Sequence, residues 1–145
     1  MKALIQRVNA ASVEVGLEVI GEIGPGLLLF LGVERGDSEA LADKLLNKVL
    51  RYRVFSDLQD KMNLSLLDTG GELLVVSQFT IVANTQKGLR PSFSSAAAPQ
   101  ESKNLYDYFI SQAKCSKLKV QTGRFGADMA VKLENNGPVT FILTV

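Results

Sequence analysis

The sequence predicts an α+β fold: a curved, mostly antiparallel, barrel-like sheet with two main helices. Apolar and polar residues alternate loosely over residues 2–15, which is typical of a long, bent strand. Residues 27–33 form a continuous apolar run, which is typical of a strand buried on both faces. Two later segments carry apolar residues at helical spacing. Because no linker or repeat interrupts the chain, we expect a single domain over residues 1–145.

The remaining elements follow from local signals. A turn at Gly16 and a break at Gly24-Pro25-Gly26 bound a second strand, residues 18–23. Asp37-Ser38 offers an N-cap for the first helix, and Pro99 fits the first turn of the second. The apolar stripes of these helices are Leu41, Leu45, Val49 and Tyr52 in the first, and Leu105, Phe109 and Ala113 in the second. Short strands are expected at residues 54–55, 64–67 and 117–121, and a hairpin is expected to pair residues 129–133 with 139–145.

A polar stretch at the end of a buried strand is the first candidate site. The element at residues 72–82 begins with the apolar run Leu73-Leu74-Val75-Val76 and continues with Ser77-Gln78-Phe79-Thr80. Polar side chains are costly to bury, so the strand is expected to leave the core at this point. A core strand that ends in the side chains of Ser77, Gln78, Phe79 and Thr80 could hold a functional site on a rigid support. A strand end whose polar groups are satisfied by neighbouring backbone is the alternative.

Composition narrows the chemistry. The chain contains no histidine, which excludes Ser-His-Asp and Cys-His arrangements within it and metal sites that need imidazole. We expect no cofactor and no metal site. The formal net charge of +1 gives no overall electrostatic signature of nucleic-acid binding, so an RNA partner would be held by a local patch. The single cysteine, Cys115, excludes an internal disulfide and fits a reducing cytosol.

Two further features concern partners. No apolar run approaches the roughly 20 residues that span a bilayer, and residues 1–7 lack a signal-peptide pattern, so no membrane association is expected. Residues 83–98 form a long polar segment without apolar periodicity, which is often functional. In that segment, Lys87 and Arg90 are suited to phosphate, although lone basic residues on a loop are commonly just solvated.

The second candidate site is Asn135-Asn136-Gly137-Pro138-Val139-Thr140. Asn, Gly and Pro are ordinary turn residues, so a hairpin connection alone would explain them. A cis Gly137-Pro138 bond would turn two carbonyls the same way at the tip of a rigid turn. Two such acceptors would form a compact receptor for an ammonium group.

Together, Ser77-Gln78-Phe79-Thr80 and Asn135-Asn136-Gly137-Pro138-Val139-Thr140 resemble the two signature motifs of the D-aminoacyl-tRNA deacylase family. The resemblance extends over nearly the whole chain. It includes Ile5-Gln6-Arg7-Val8 with Ala11-Ser12-Val13, Tyr52-Arg53-Val54-Phe55-Ser56-Asp57, Lys61-Met62-Asn63, Arg90-Pro91-Ser92-Phe93 and Thr122-Gly123-Arg124-Phe125.

The resemblance implies a cytoplasmic homodimer with its pockets at the subunit interface. It implies hydrolysis of the ester that joins a D-amino acid, or glycine, to the 3′-terminal adenosine of tRNA. It implies that Gly137-Pro138 is cis and reaches into the partner's pocket, where its carbonyl oxygens hold the α-amino group and exclude the L configuration. Arg7 is similar to the arginine that supports this peptide, and Phe79 and Met129 match positions that line the adenosine pocket.

The hydrolytic group is open at this point. Thr80 could be a nucleophile assisted by Ser77 or Gln78, but the neighbouring base that a threonine needs is missing. Alternatively, the ribose 2′-hydroxyl activates or positions water while the backbone amides of Phe79 and Thr80 stabilise the oxyanion. A non-catalytic tRNA-binding or editing-accessory module is a competing function. A serine esterase is disfavoured because the chain lacks a Gly-x-Ser-x-Gly elbow and any histidine.

Overall fold

The structure is a computed structural model that describes residues 1–86 and 88–145. Lys87, one of the two residues suited to phosphate, lies outside the described residues. The elements are β1 (Lys2–Val15), β2 (Glu18–Ile23), β3 (Gly26–Gly32), α1 (Glu39–Arg51), β4 (Phe55–Ser56), β5 (Met62–Leu64), α2 (Leu66–Thr69), β6 (Glu72–Ser77), α3 (Pro99–Lys114), β7 (Val120–Thr122) and β8 (Ala130–Thr144). A 3-10 turn, Phe79–Val82, follows β6. No helix in the described parts of the chain is long and apolar enough to cross a membrane.

The main sheet is mixed and strongly curved. Its order is β2-β1-β3-β6-β7, and β8 pairs with the other edge of β1. β1 is antiparallel to β2, β3 and β8, whereas β6 is parallel to both β3 and β7. The sheet curls until β2 lies close to β7: a Cβ added to Gly21 would stand 2.8 Å from the carbonyl oxygen of Thr122. The predicted fold class is confirmed, and the parallel strands bring the carboxyl ends of β3, β6 and β7 to one edge.

Two clusters of buried apolar side chains pack against this sheet, one on each face. The larger cluster lies between the sheet and the helices α1 and α3, which pack on each other. The smaller one lies inside the curl of the sheet and includes Val13, Ile23, Leu28 and Val76. Ser38 caps α1 as predicted, because its Oγ accepts a hydrogen bond from the Leu41 N–H at 3.4 Å. Val76, the last apolar residue of β6, is buried. Pairing with β7 ends at Val75, and pairing with β3 continues to Ser77.

The strand predicted at residues 64–67 is wrong. β5 ends at Leu64, and the short helix α2 begins immediately afterwards at Leu66. Ser65 forms a capping box with Asp68: the backbone N–H of Asp68 donates to the Ser65 Oγ, and the Asp68 carboxylate accepts from the Ser65 N–H at 2.8 Å. These reciprocal bonds override the short apolar run that suggested a strand.

The predicted hairpin between residues 129–133 and 139–145 is also wrong. Both segments belong to one strand, β8, which runs antiparallel along most of β1. The β1–β8 register shifts between Gln6 and Val8 and again between Val8 and Ala10. Residues 136–139 therefore bulge from the ladder instead of reversing the chain. The element predicted at residues 72–82 is likewise divided, since β6 ends at Ser77 and the 3-10 turn follows.

The described part of the 83–98 segment is anchored at both ends. The Ser95 hydroxyl donates to the Val82 carbonyl at 2.6 Å, and the Ala97 N–H donates to the Val33 carbonyl at 3.2 Å. Asn84 and Ser92 exchange backbone hydrogen bonds of 2.8 and 3.0 Å. This segment thus returns to the end of β3 immediately before α3 begins.

Candidate active site

A cavity of about 480 Å³ opens where β6 ends, a volume within the usual range for small-molecule sites. The end of β6, the start of α3 and the segment between β7 and β8 form its walls. Its lining residues are Val76, Ser77, Gln78, Phe79, Ala96, Ala97, Pro99, Ser102, Phe125, Gly126, Ala127, Asp128, Met129 and Val131. The structure therefore brings together the predicted site residues Ser77, Gln78, Phe79 and Met129.

Backbone bonds hold the polar stretch at the rim of the sheet. The Gln78 N–H donates to the Leu31 carbonyl at 2.8 Å, which continues the hydrogen bonding between β6 and β3 by one residue. The chain then turns, and the Ala83 N–H donates to the Thr80 carbonyl at 3.1 Å. The sequence expectation that the strand leaves the core at this stretch is confirmed, because Thr80 and Phe79 are exposed while Val76 is buried.

Thr80 does not line the cavity. Its Oγ1 accepts a hydrogen bond from the Gln78 amide Nε2. Within residues 1–86 and 88–145, no ionisable side chain hydrogen-bonds to Ser77, Gln78 or Thr80. The backbone N–H groups of Phe79 and Thr80 also have no hydrogen-bond acceptor in that part of the chain. Among the described residues, the site thus has free backbone donors and no base hydrogen-bonded to a hydroxyl of Ser77 or Thr80.

Two aromatic rings stand beside the cavity. Phe79 is 59% exposed, and its ring centroid lies 4.9 Å from that of Phe93, which is itself 38% exposed. Exposed paired rings offer a surface on which a nucleobase can stack. Phe93 was not among the predicted site residues, although it closes the motif Arg90-Pro91-Ser92-Phe93.

Helix α3 fixes the wall of the cavity from behind. The Tyr106 hydroxyl donates to the carbonyl of Val75, two residues before Ser77, at 3.0 Å. Burial raises the pKa of Tyr106 far above its ordinary value, so the hydroxyl stays protonated and remains a donor. The ring of Tyr106 also packs against Phe125, with 5.6 Å between centroids.

The segment from β7 to β8 supplies residues that the sequence reasoning left open or missed. A Cβ on Gly123 would stand 2.7 Å from the Met129 sulfur, so the absence of a side chain lets Met129 lie where it does. Gly126 has φ +74°, a conformation that favours glycine, at the turn in the wall. Asp128 is the lining residue with a carboxylate, and no pattern in the sequence singled it out.

The remaining predicted residues form a second cluster around the bulge of β8. Arg7 donates through Nε to the Asn136 carbonyl at 3.1 Å and through Nη1 to the Val54 carbonyl at 2.6 Å. The Gly137-Pro138 peptide is cis, and both residues are exposed. The Asn135 side chain braces the bulge, since its Oδ1 accepts from the Val139 N–H at 2.8 Å.

The two clusters lie apart within one chain. Arg7 pairs with Leu27 in β3, which pairs with Leu73 in β6, and Ser77 is four residues further along β6. That offset corresponds to about 13 Å along the strands and about 10 Å across them. The bulge of β8 lies one strand further away, beyond β1. None of Arg7, Gly137 and Pro138 lines the cavity.

A family model described as D-Tyr-tRNA(Tyr) deacylase matches residues 4–144. The chain belongs to this family. Two curated relatives, both named D-aminoacyl-tRNA deacylase, are similar over their whole length. The protein of Pseudoalteromonas translucida (strain TAC 125) is 61% identical over 145 residues, and that of Actinobacillus pleuropneumoniae serotype 5b (strain L20) is 62% identical, each covering 100% of both chains.

Two solved structures share the fold of this chain. A structure described as c-Myc DNA Unwinding Element Binding Protein superposes with a TM-score of 0.95 at 38% identity, covering 100% of this chain and 99% of its own. A probable eukaryotic D-amino acid tRNA deacylase superposes with a TM-score of 0.84 at 16% identity, covering 98% and 97% of the two chains. At that identity the second likeness concerns the fold alone.

Proposed function

We propose that this chain, as one domain over residues 1–145, hydrolyses the ester of D-aminoacyl-tRNA and releases the D-amino acid and the tRNA. Family membership supports the deacylase activity. The observation that carries the rest is the cavity at the end of β6, which has an aromatic and thioether lining and adjoins the free backbone amides of Phe79 and Thr80. Because tRNA is its substrate, the protein is proposed to act in the cytoplasm.

The terminal adenosine is proposed to bind between Phe79 and Met129. An adenine ring needs a flat apolar partner, and the exposed face of Phe79, supported by Phe93, provides one. Met129 offers a polarisable thioether, which packs well against aromatic rings. This position would leave the ester carbonyl beside the backbone amides of Phe79 and Thr80.

Chirality is proposed to be read by carbonyl oxygens of the bulge around Gly137-Pro138. The α-ammonium of the substrate would donate to these oxygens, while the D side chain projects outward. An L side chain would occupy the space that the bulge itself fills. Glycine has no side chain to exclude, so glycyl-tRNA is expected to be a substrate too. Arg7 supports the bulge by holding the Asn136 carbonyl.

We propose a homodimer in which each bulge completes the partner's cavity. Within one chain the two clusters are too far apart to act on one substrate. The bulge is exposed, and no strand in the described parts of the chain pairs with the outer edge of β8. Beside it, Ile142 is 69% exposed and stands in register with Leu4 and Phe30, which are half-buried. Such an apolar row suits a two-fold interface.

Hydrolysis is proposed to be assisted by the substrate. The hydroxyl of Thr80 accepts from Gln78 and has no base beside it in the described residues. The 2′-hydroxyl of the terminal ribose is adjacent to the ester and can position water. The amides of Phe79 and Thr80 would then stabilise the oxyanion. Because an aminoacyl ester is already activated, positioning of water and stabilisation of the oxyanion are sufficient for hydrolysis.

The decisive experiment compares D-tyrosyl-tRNA, L-tyrosyl-tRNA and glycyl-tRNA, with rates corrected for spontaneous hydrolysis. The D ester is expected to be cleaved faster than the L ester by about 10³-fold or more, because a misplaced group leaves buried polar partners unpaired. Glycyl-tRNA is expected to be cleaved. Equal cleavage of both mirror images would contradict the chiral clamp, and esters that all remain intact would indicate a non-catalytic tRNA-binding module.

Intermolecular complementation tests the shared cavity. Phe79→Ala removes the stacking ring from one cluster, and Arg7→Ala removes the support of the other. In a homodimer with shared sites, mixed dimers hold one intact site, so the exchanged mixture is expected to recover about a quarter of wild-type activity. If all site residues acted within one chain, mixing two inactive variants would restore nothing.

A further inference from the structure

A second groove adjoins the cavity on the other side of Phe125, and the function proposed above makes no use of it. Its volume is about 310 Å³, and it lies between α3 and the end of β7. Phe125 lines both the groove and the cavity, so the two are separated by a single side chain. The groove is lined by Lys103, Tyr106, Asp107, Ile110, Thr122, Gly123, Arg124 and Phe125.

The backbone that carries Arg124 is firmly held. The Gly123 N–H donates to the Val75 carbonyl at 2.9 Å, which extends the pairing of β7 with β6. The Ala127 N–H donates to the Arg124 carbonyl at 3.2 Å and closes a turn. On the next residue, the ring of Phe125 packs on Tyr106. The backbone of Arg124 is therefore fixed in the groove, next to Phe125, the residue that the groove shares with the cavity.

The guanidinium of Arg124 makes no polar contact that stabilises the described part of the fold. The residue is exposed, and its side chain makes no hydrogen bond or ion pair with any residue in 1–86 or 88–145. The other two charged groups of the groove neutralise each other, because Lys103 forms an ion pair with Asp107 one helical turn away. Arg124 thus gives the groove a net positive charge of one.

We propose that this groove binds the phosphodiester on the 5′ side of the terminal adenosine, with the guanidinium of Arg124 as its ligand. The inference rests on the proposed function, which puts that adenosine in the adjoining cavity. The phosphodiester is attached to the same ribose, so the strand must leave the cavity beside its rim. A planar guanidinium binds phosphate oxygens bidentately, which suits this position.

Kinetics on full-length substrate give the first test. Arg124→Gln removes the charge without removing any contact that supports the fold. At about 50 mM salt the KM for D-tyrosyl-tRNA is expected to rise about tenfold with kcat nearly unchanged, and the slope of log KM against log salt is expected to fall by about 0.7, since one single-strand phosphate contact is lost. Lys44→Gln, an exposed residue of α1 that lines neither space, is the matched control and is expected to leave KM unchanged.

Binding of two inert analogues gives the second test. One is 3′-deoxy-3′-(D-tyrosylamino)adenosine, and the other is the same molecule extended by cytidylate through its 5′ phosphodiester. The wild type is expected to bind the extended analogue about tenfold more tightly, by the strength of one charge-assisted pair. Arg124→Gln is expected to lose that advantage while binding the short analogue like the wild type.

A third test uses a variant that makes the groove more positive. Asp107→Asn frees Lys103 and adds one positive charge to the groove, so it is expected to lower the KM for D-tyrosyl-tRNA and steepen its salt dependence. The proposal is overturned if Arg124→Gln weakens both analogues equally, if it weakens neither, or if Lys44→Gln raises KM as much. A wild type that cleaves no aminoacyl-tRNA is a different result, because it contradicts the deacylase function itself.

Discussion

At the scale of single residues, Thr80 decides between two mechanisms. Its hydroxyl accepts a hydrogen bond from Gln78 and is hydrogen-bonded to no base among the described residues, so the proposed mechanism does not use it as a nucleophile. Thr80→Ala is expected to keep kcat within about tenfold of the wild type, since it loses only one hydrogen bond. A tRNA ending in 2′-deoxyadenosine is expected to be cleaved at least about a hundredfold more slowly, because it lacks the 2′-hydroxyl that assists hydrolysis.

Both measurements use single-turnover hydrolysis of D-tyrosyl-tRNA, with the circular dichroism of the variant compared with the wild type. A folded Thr80→Ala protein that binds tRNA but cleaves nothing would make Thr80 the nucleophile. Normal cleavage of the 2′-deoxy substrate would contradict assistance by the substrate.

A substitution at Gly123 tests the proposed adenosine pocket. Gly123→Ala places a methyl group 2.7 Å from the Met129 sulfur, and a flexible side chain can yield to it. Shifting Met129 from its preferred rotamer is expected to lower the free energy of unfolding by about 1 kcal/mol. The KM for D-aminoacyl-tRNA is expected to rise about fivefold, because the contact of the thioether with the adenine is lost. Gly24→Ala, which meets no atom within 4 Å, is the control and is expected to match the wild type. Equal KM values for the two variants would remove Met129 from the adenosine pocket.

At the scale of elements, the contact of α3 with β6 supports the site. Tyr106→Phe removes the buried hydroxyl that donates to the Val75 carbonyl, although the Gly123 N–H still donates to that oxygen. The free energy of unfolding is expected to fall by about 1 kcal/mol. Urea denaturation measures this loss, and Tyr108→Phe, whose hydroxyl bonds Asp43 at an exposed position, is the control expected to change less. Equal losses would mean that burial does not strengthen the Tyr106 bond.

Periodicity predicted the elements that bury a continuous apolar face. The bounds of β1, β2 and α1 follow directly from it. In β1 the alternation changes phase where the strand passes from the larger apolar cluster to the smaller one. It failed at residues 64–67, where a run of leucines is ambiguous and a capping box decides. It failed again at residues 134–138, because turn residues also fit a bulge and only the length of β1 distinguishes them.

The sequence predicted the motif residues of the candidate site but not the other residues that line its cavity. Ser77, Gln78 and Phe79 stood out because polar and aromatic residues follow a buried run. Asp128 and Ala97 line the same cavity only because β7 and α3 converge on the end of β6. No local pattern encodes such convergence, and the parallel pairing that produces it joins strands far apart in the sequence.

At the scale of the whole molecule, the absence of histidine shapes the response to pH. Lys119 and the Gly24 N–H lower the pKa of Glu72, Ser65 lowers that of Asp68, and backbone N–H groups lower that of Asp57. For Glu34, burial raises the pKa, but bonds to the Met1 ammonium and Lys2 outweigh it and lower the pKa overall. Each of these four carboxylates therefore binds a proton more readily in the unfolded chain than in the folded one.

Stability from these groups is complete above the ordinary carboxyl pKa values of 3.8 and 4.5 and is lost as pH falls through the lower folded values. Urea midpoints are expected to be flat between about pH 5 and pH 7 and to fall steadily below about pH 4.5. A step in stability near pH 6 would contradict this expectation, since no histidine is present to titrate there.

Arg7 hydrogen-bonds two separate segments, and this has a consequence for how those segments open locally. One guanidinium holds the Val54 carbonyl, just before β4, and the Asn136 carbonyl in the bulge of β8. Opening of either segment breaks one of these hydrogen bonds and lets the Arg7 side chain move, which weakens the other bond. Amide protons in both segments are therefore expected to exchange with deuterated solvent at similar rates, as one cooperative unit. A substitution near β4 would then change how often the bulge opens.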